Sequence, residues 1–506
     1  MRRRSGDGRR WPGKNENALQ FRPVTDTTYR LRIGGEQVVA DGGYDVINPA
    51  TEQLVAVAPD ASPAQAADAC QAARDAFDSW SRTTPAERGA LLSRFADLWD
   101  ANAAELVPLV QAETGATMRV AKTIQVPQVS ARFRRYAQVE SNLVPLPPAV
   151  MPSTPLAPGG LIGAVEHRAP VGVVAALAAY NFPVTNMAGK IAPALAMGNT
   201  LVVKPPTQDP LGVIRMVELL EEAGIPPGVV NVVSASTVEA AEAITSHPEV
   251  DMISFTGSTG VGSRIGEVAG KQMKRLLLEL GGKGAAIVFE DADLKNAVSN
   301  ISSTWTFHSG QICTSPTRVV AHRSIYDELV AKLAGMAGHL KVGDPLERDT
   351  VLGPVITGVH RDRVEGLIAS ATAEGATLAA GGQRPELDTG FYVAPTLVVD
   401  ATNAMTIARE EVFGPVITVI PFDTEDEAIA ISNDSPYGLY DYVFSEDSGK
   451  AMEVAKLLRA GNVGINTLQR NHEAAFGGFK YSGVGRDGGS WGLHAYSEMQ
   501  SIMWKG

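Results

Sequence analysis

Val171 to Thr207 reads VGVVAALAAYNFPVTNMAGKIAPALAMGNTLVVKPPT. Val171–Leu177 is an apolar run of strand length, a helical pattern follows to Met197, and Thr200–Val203 is a second short apolar run. The alternation continues downstream, with a helix to Ala223, a strand at Val229–Val233 and a helix near Glu239–Ser246. Met252–Phe255 then reads as a strand, and a helix follows to about Gly270. Short buried strands separated by helices of this length imply right-handed βαβ crossovers and a parallel sheet. In such a sheet the loops at the carboxyl ends of the strands bind ligands.

Outward from this block, the chain keeps the α/β character. Ser62-Pro63 and Thr84-Pro85-Ala86-Glu87 open two helices upstream, and Ala66, Ala69, Cys70, Ala73, Phe77 and Trp80 share one helical face. Cys70 is therefore a packing residue. Leu143–Pro158 holds six prolines, which exclude helix and central strand and mark an extended arm. A second α/β block starts near Gly281. Its strands are expected at Ala285–Phe289, Val393–Val399, Val416–Phe422 and Tyr440–Phe444, with helices between them, and the chain ends in a β-like tail.

The 506 residues carry a formal charge of −12, with 44% apolar and 20% charged side chains and two cysteines. The length predicts more than one domain. The acidic balance argues against a nucleic-acid partner. Two cysteines cannot make a disulfide framework, so a reducing, cytoplasmic setting fits. No apolar run reaches the length of a membrane span. Met1–Arg10 carries five arginines with no apolar stretch after it, and residues 1–25 read as a disordered tail.

Several segments could carry chemistry. Cys313 lies in FHSGQICTSPTR, residues 307–318, a polar loop between a helical run and a β-branched one. An exposed thiol there can act as a nucleophile, although free cysteine also packs as a small hydrophobe. Glu279 ends the leucine run of LLLELGGKG; partial desolvation would raise its pKa and suit it as a general base, or it is an exposed strand-end charge. Asn181 follows the first strand of the parallel block, where its amide could donate to an oxyanion or simply form a turn. Lys204, aimed by Pro205-Pro206, could grip ribose or phosphate, and by itself also reads as a solvated loop lysine. Phe255–Gly262 is a strand, a glycine-rich turn and a helix start, suited to a pyrophosphate or serving as a plain turn. Glu410–Val416 puts two carboxylates and a ring before a strand. The literal GxGxxG at Gly483–Gly488 has no room for a βαβ unit after it and is not a dinucleotide fingerprint. No His/Cys cluster has metal-ligand spacing, so no metal is expected.

Taken together, AYNFP, KPPT, FTGST, LELGGK, GQICTS, EEVFGPV and FGGFKYSG, in that order, resemble the aldehyde dehydrogenase superfamily over nearly the whole chain after the tail. The resemblance implies a Rossmann-like cofactor domain (26–148 and 169–280), an α/β catalytic domain (281–470) and a small β oligomerisation arm (149–168 and 487–506). It implies oxidation of a small-molecule aldehyde to the acid with NAD or NADP. Cys313 would be the nucleophile, Asn181 with the Cys313 amide the oxyanion site, and Glu279 the activator of the hydrolytic water. Lys204 and Glu411 would hold the riboses, Phe413 would pack near the nicotinamide, and Gly257 and Ser258 would receive the pyrophosphate. Tyr180 and Gly281 complete the implied cofactor site. Phe182, Thr185, Asn186, Phe307, Ile312, Thr314, Arg470 and Phe476 would line the aldehyde tunnel; Arg470, if it points inward, could bind the carboxylate of a semialdehyde acid. The tail would add a strand to a neighbouring subunit, having no partner of its own, in a homodimer or homotetramer.

Three departures from the family pattern stand out. Tyr180 replaces a common tryptophan, Asp487 a more usual glutamate, and Thr207 the glutamate that NAD-preferring members place on the ribose 2′-hydroxyl. Without that carboxylate a 2′-phosphate is not repelled, so NADP acceptance is expected. The alternatives are a CoA-acylating aldehyde dehydrogenase, which would not need Glu279; a cysteine hydrolase, with His308 as the nearest base in sequence; and a binding protein without activity.

Overall fold

The computed structural model describes residues 28–506; the expected tail at 1–25 lies outside them. Two sheets dominate. The first has eight strands in the order Gly483–Val484, Arg275–Glu279, Met252–Thr256, Val173–Leu177, Thr200–Lys204, Val230–Val232, Leu31–Ile33 and Glu36–Val38. Its five central strands are parallel, and the strands at both ends run antiparallel. Val173–Leu177 is buried along its whole length, which explains its unbroken apolar sequence: both faces of a parallel sheet are covered.

One face of this sheet carries the core of Leu92, Phe95, Trp99, Phe133, Met187 and Ile191. The opposite face carries Ala66, Ala69, Cys70, Ile244, Ile265 and Ala269. The helices Pro63–Ser81 and Pro85–Ala101 begin as their sequences predict. Each has a proline in the first turn and a capping box, Ser62 with Gln65 and Thr84 with Glu87.

The second sheet has seven strands in the order Thr377–Ala380, Thr396–Val399, Val416–Phe422, Arg318–His322, Ala285–Val288, Tyr440–Phe444 and Asn462–Ile465. All but the Thr377–Ala380 edge run parallel. Thr377–Ala380 and Asn462–Ile465 are the edge strands that the sequence pattern does not reveal. They are short and only partly buried, and so lack an apolar run.

Residues 280–284 lead directly from the end of Arg275–Glu279 to the start of Ala285–Val288. The carboxyl edge of the first sheet therefore faces the amino edge of the second. Ala285, Arg318 and Thr418 stand side by side in register, so the loops preceding these three parallel strands are neighbours in space. This places 280–284, the cysteine loop and Glu410–Pro415 together.

A third sheet joins Leu143–Met151, Gly160–Pro170 and Ser497–Lys505, all antiparallel. Pro145, Pro147 and Pro148 sit on its outer strand, where a missing N–H costs least, and the register shifts between Leu146 and Ala149. One expectation is corrected here. The tail does have a partner in its own chain: it pairs from Ser497↔Pro170 to Lys505↔Ile162. The two strands are separated by the rest of the chain, and no local pattern encodes such a pairing. Among the described residues no helix is long and apolar enough to cross a membrane.

Candidate active site

The facing edges of the two large sheets enclose a cavity of about 2180 Å³. Asn181 enters it just after the buried strand Val173–Leu177, ahead of a helix whose first residue is Pro183. Its Nδ2 donates to the carbonyl of Gln311 at 2.9 Å. Its Oδ1 accepts from the Phe182 amide at 3.1 Å and from Asn186 Nδ2 at 3.3 Å. An amide nitrogen carries two hydrogens, so one remains for a ligand.

The cysteine loop follows the helix Leu294–Thr306, capped by Asp293. His308, Ser309 and Gly310 all take left-handed backbone angles (φ 47°, 56° and 72°). Such a turn costs energy for non-glycine residues and persists only where its surroundings enforce it. Ser309 Oγ donates to Gly353 O at 2.7 Å, Gln311 Oε1 accepts from the Ile356 amide at 3.0 Å, and Tyr442 OH donates to Thr314 O at 2.8 Å. Gly310 is required: a Cβ there would stand 2.1 Å from Gly414 O. Cys313, half-buried and free, is held at the cavity wall by this frame. Burial first, then the charges of Glu411 and Glu279, push its thiol up to about 12. The resting sulfur is therefore protonated, and a proton acceptor is needed to make it a nucleophile.

Glu279 ends the strand Arg275–Glu279 and is buried, with both carboxyl oxygens unpartnered. Burial, and then the charge of Asp487, hold it well above the usual carboxylate range, against the opposing charge of Lys190. Lys190 is itself buried, donates to Ser254 Oγ at 3.1 Å, and is pushed down to about 8 by desolvation. Sequence reasoning missed it, although a single lysine inside the apolar helix Pro183–Met197 was a visible signal.

Glu411 reaches the turn after Glu279. Its Oε1 accepts from the Gly282 amide at 2.9 Å, and a Cβ on Gly281 would stand 2.4 Å from its Oε2. Burial raises it to about 7, opposed by that amide and by Lys283 and Arg363. Phe413 has φ 57°. Its ring lies edge-on to Tyr180 at 5.8 Å, and its carbonyl is 2.7 Å from His360 Nε2.

Gly257 and Ser258 line the cavity where Met252–Thr256 ends, and Ser258 caps the helix Thr259–Lys271. Gly260, in the first turn, has nothing within 4 Å of where a Cβ would stand, so the helix start opens to a ligand. These amides, with Lys204 and Glu411, suit the phosphates and riboses of a dinucleotide. Lys204 and Thr207 do not line the cavity that holds Cys313. Lys204 Nζ donates to Pro205 O at 3.2 Å and Thr207 Oγ1 to Ala235 O at 3.1 Å, one strand further along the same edge.

Phe182, Thr185, Asn186, Phe307, Ile312, Thr314, Arg470 and Phe476 all line the cavity. Phe182 and Phe307 stack with centroids 6.1 Å apart. The Thr185 hydroxyl already donates to Gln125 O at 3.0 Å. The Arg470 guanidinium lies 3.9 Å over the Phe476 ring. Arg132 lines the same space and was not anticipated, because RFRR on a helix reads as a solvated face.

Residues 38–502 match the model of the aldehyde dehydrogenase family. The chain belongs to the aldehyde dehydrogenase family. It is 39% identical over 476 residues to the geranial dehydrogenase of Castellaniella defragrans, covering 93% of this chain and 97% of that one. The 3-succinoylsemialdehyde-pyridine dehydrogenase of a Pseudomonas species is 36% identical over 482 residues, covering 93% and 97%. A crystal structure of Staphylococcus aureus betaine aldehyde dehydrogenase in complex with NAD+ superposes with a TM-score of 0.90 at 36% identity, covering 94% and 95%. The fold is thus that of an aldehyde dehydrogenase, and the activity is NAD(P)-dependent oxidation of an aldehyde through a cysteine. The CoA-acylating and hydrolase alternatives are not favoured.

In this aldehyde dehydrogenase the Gly281-Gly282 turn governs where the sulfur stands, because a Cβ on Gly282 would lie 2.2 Å from Cys313 O. Gly282→Ala is expected to lower kcat/KM roughly 100-fold or more by displacing the loop. Gly366→Ala, in a helix with nothing within 4 Å of the added atom, serves as the control. Steady-state kinetics with circular dichroism on both variants checks this.

Proposed function

We propose that Cys313, Asn181 and Glu279 divide the reaction between them. The single observation that carries this is their convergence on one cavity from three distant segments, with the Glu279 carboxyl buried and unpartnered. The Cys313 sulfur adds to the aldehyde carbon while its proton leaves to a neighbouring base. The free Asn181 N–H and the Cys313 backbone amide donate to the oxygen that becomes anionic. A bound nicotinamide dinucleotide supplies the hydride acceptor. Lys204, Glu411 and the Ser258 helix start would hold that dinucleotide, with Tyr180, Gly281 and Phe413 around its nicotinamide end. The resulting Cys313 thioester is hydrolysed by water that gives its proton to Glu279, releasing the acid and restoring the thiol. In this reading the first sheet is the cofactor side and the second the nucleophile side, and the two free cysteines fit a cytoplasmic setting.

We further propose that NADP+ is accepted. Thr207 brings no negative charge to the loop after Thr200–Lys204, so the carboxylate acting on Lys204 is that of Asp60, which also accepts from the Ser236 amide and hydroxyl at 2.8 and 2.6 Å. Desolvation pushes Lys204 down to about 8; a 2′-phosphate beside it would hold it charged. The third sheet exposes Leu146, Val150, Met151, Ile502, Met503 and Trp504, an apolar surface suited to a homodimer or homotetramer.

Glu279→Gln should still form about one NAD(P)H per site in a rapid burst, with later turnover slowed roughly 100- to 10,000-fold. Because the base works deprotonated and its pKa is raised, wild-type deacylation should climb with pH above the ordinary carboxylate range; the variant should lose that limb. Absence of a burst would reject the assignment. For the cofactor, kcat/KM with NAD+ and NADP+ is the measurement. A strong wild-type NAD+ preference would reject the Thr207 argument, whereas Thr207→Glu should lower the NADP+ value by roughly tenfold or more through charge repulsion. Sedimentation equilibrium should find a dimer or tetramer, and a monomer would overturn that reading.

A further inference from the structure

We infer that the aldehyde end of the cavity is built for a substrate that carries a carboxylate, received between the guanidinium groups of Arg132 and Arg470. This rests on the aldehyde-oxidation reading of the same cavity and names its substrate class.

Three arginines crowd the helix Val126–Tyr136, and two of them are spoken for. Arg134 pairs with Asp97 and Asp100 at 2.8 and 2.7 Å. Arg135 pairs with Glu473 and donates to His472 O. Arg132 has no hydrogen-bonded or ion-paired partner among the described residues; burial lowers its pKa, the charge of Asp487 opposes this, and that of Arg470 adds to it. It lines the cavity. A part-buried guanidinium that no protein group pairs is free to receive an anionic ligand.

The position of Arg132 depends on a glycine in the opposite helix. A Cβ on Gly189 would stand 2.1 Å from Arg132 Nη1 and 3.6 Å from Asp487 Oδ2. Any side chain at Gly189 would therefore displace the guanidinium. The residue next to Gly189 is Lys190, whose charge reaches Glu279. Arg132 thus stands at the cavity wall beside Gly189 and Asp487.

Arg470 approaches from the other sheet. It lines the cavity, lies over the Phe476 ring and also lacks an ion-pair partner within the described residues. Its charge acts on Cys313, Glu279 and Arg132 alike. Phe182 and Phe307 supply an apolar wall for the body of the substrate. Asp487 is the one carboxylate set against Arg132, and its Oδ1 accepts from the Gly488 amide at 2.6 Å. Arg132, Arg470 and Lys190 outnumber the carboxyls of Asp487 and Glu279, which leaves the cluster cationic. A carboxylate fits this and can be gripped in the planar geometry of guanidinium, whereas a phosphate dianion would meet Asp487.

The test compares matched substrates: succinic semialdehyde with butanal, and adipic semialdehyde with hexanal, under the same cofactor. The acid should be preferred over its neutral partner by roughly tenfold or more in kcat/KM, mainly through KM. Arg470→Gln and Arg132→Gln should each remove most of that preference. As a readout independent of turnover, calorimetry should detect glutarate binding to the wild-type enzyme without added dinucleotide, and weaker binding to each variant. If Arg132→Gln does not fold, the exposed Arg470→Gln carries the comparison. Neutral aldehydes turned over as well as the acids, or glutarate binding unchanged in the variants, would overturn the carboxylate site while leaving aldehyde oxidation intact. NAD(P)H formation from no aldehyde at all would overturn the underlying reading and this one with it.

Discussion

Close backbone approach at Gly281-Gly282 is the constraint on which the site depends. This turn joins the last parallel strand of one sheet to an inner strand of the other. It has Glu279 just before it, takes the Glu411 carboxylate on its amide, and leaves no room for a Cβ against either Glu411 or Cys313 O. A carboxyl, a ribose-binding candidate and a nucleophile are thereby indexed to two residues without side chains. Parallel pairing does the rest, because adjacent parallel strands begin at one edge and their preceding loops must be neighbours.

The second organising fact is desolvation. Glu279, Glu411, Cys313, Lys190 and Lys283 are all driven toward their neutral forms chiefly by burial. Burial brings Glu411 and Lys283 to about 7 and Lys190 to about 8, whereas it carries the Cys313 thiol away from neutrality to about 12. The same low dielectric magnifies the field of each buried charge that remains.

The relatives are named for different aldehydes, although the architecture is shared. Such divergence is expected when the reacting groups sit on sheet-edge turns and the substrate end is formed by side chains from helices and a late loop. Here the cavity is lined by Arg132 from one helix, Gly189 in another, and Arg470 beyond the last strand of the second sheet.

The sequence by itself determined the βαβ succession, because fully buried strands and capped amphipathic helices write their periods locally. It also singled out Cys313, Asn181 and Glu279, because each stands in a motif at an element boundary, and the three line one cavity. The tertiary structure alone decided three things. It paired the tail with Gly160–Pro170 in the same chain, since register between strands hundreds of residues apart leaves no local trace. It set Lys204 and Thr207 on the sheet edge but outside the cavity wall. And it turned Arg132 from an apparent surface charge into a cavity residue, because its direction is set by the absence of a side chain at Gly189, a contact between helices that neither sequence segment reveals.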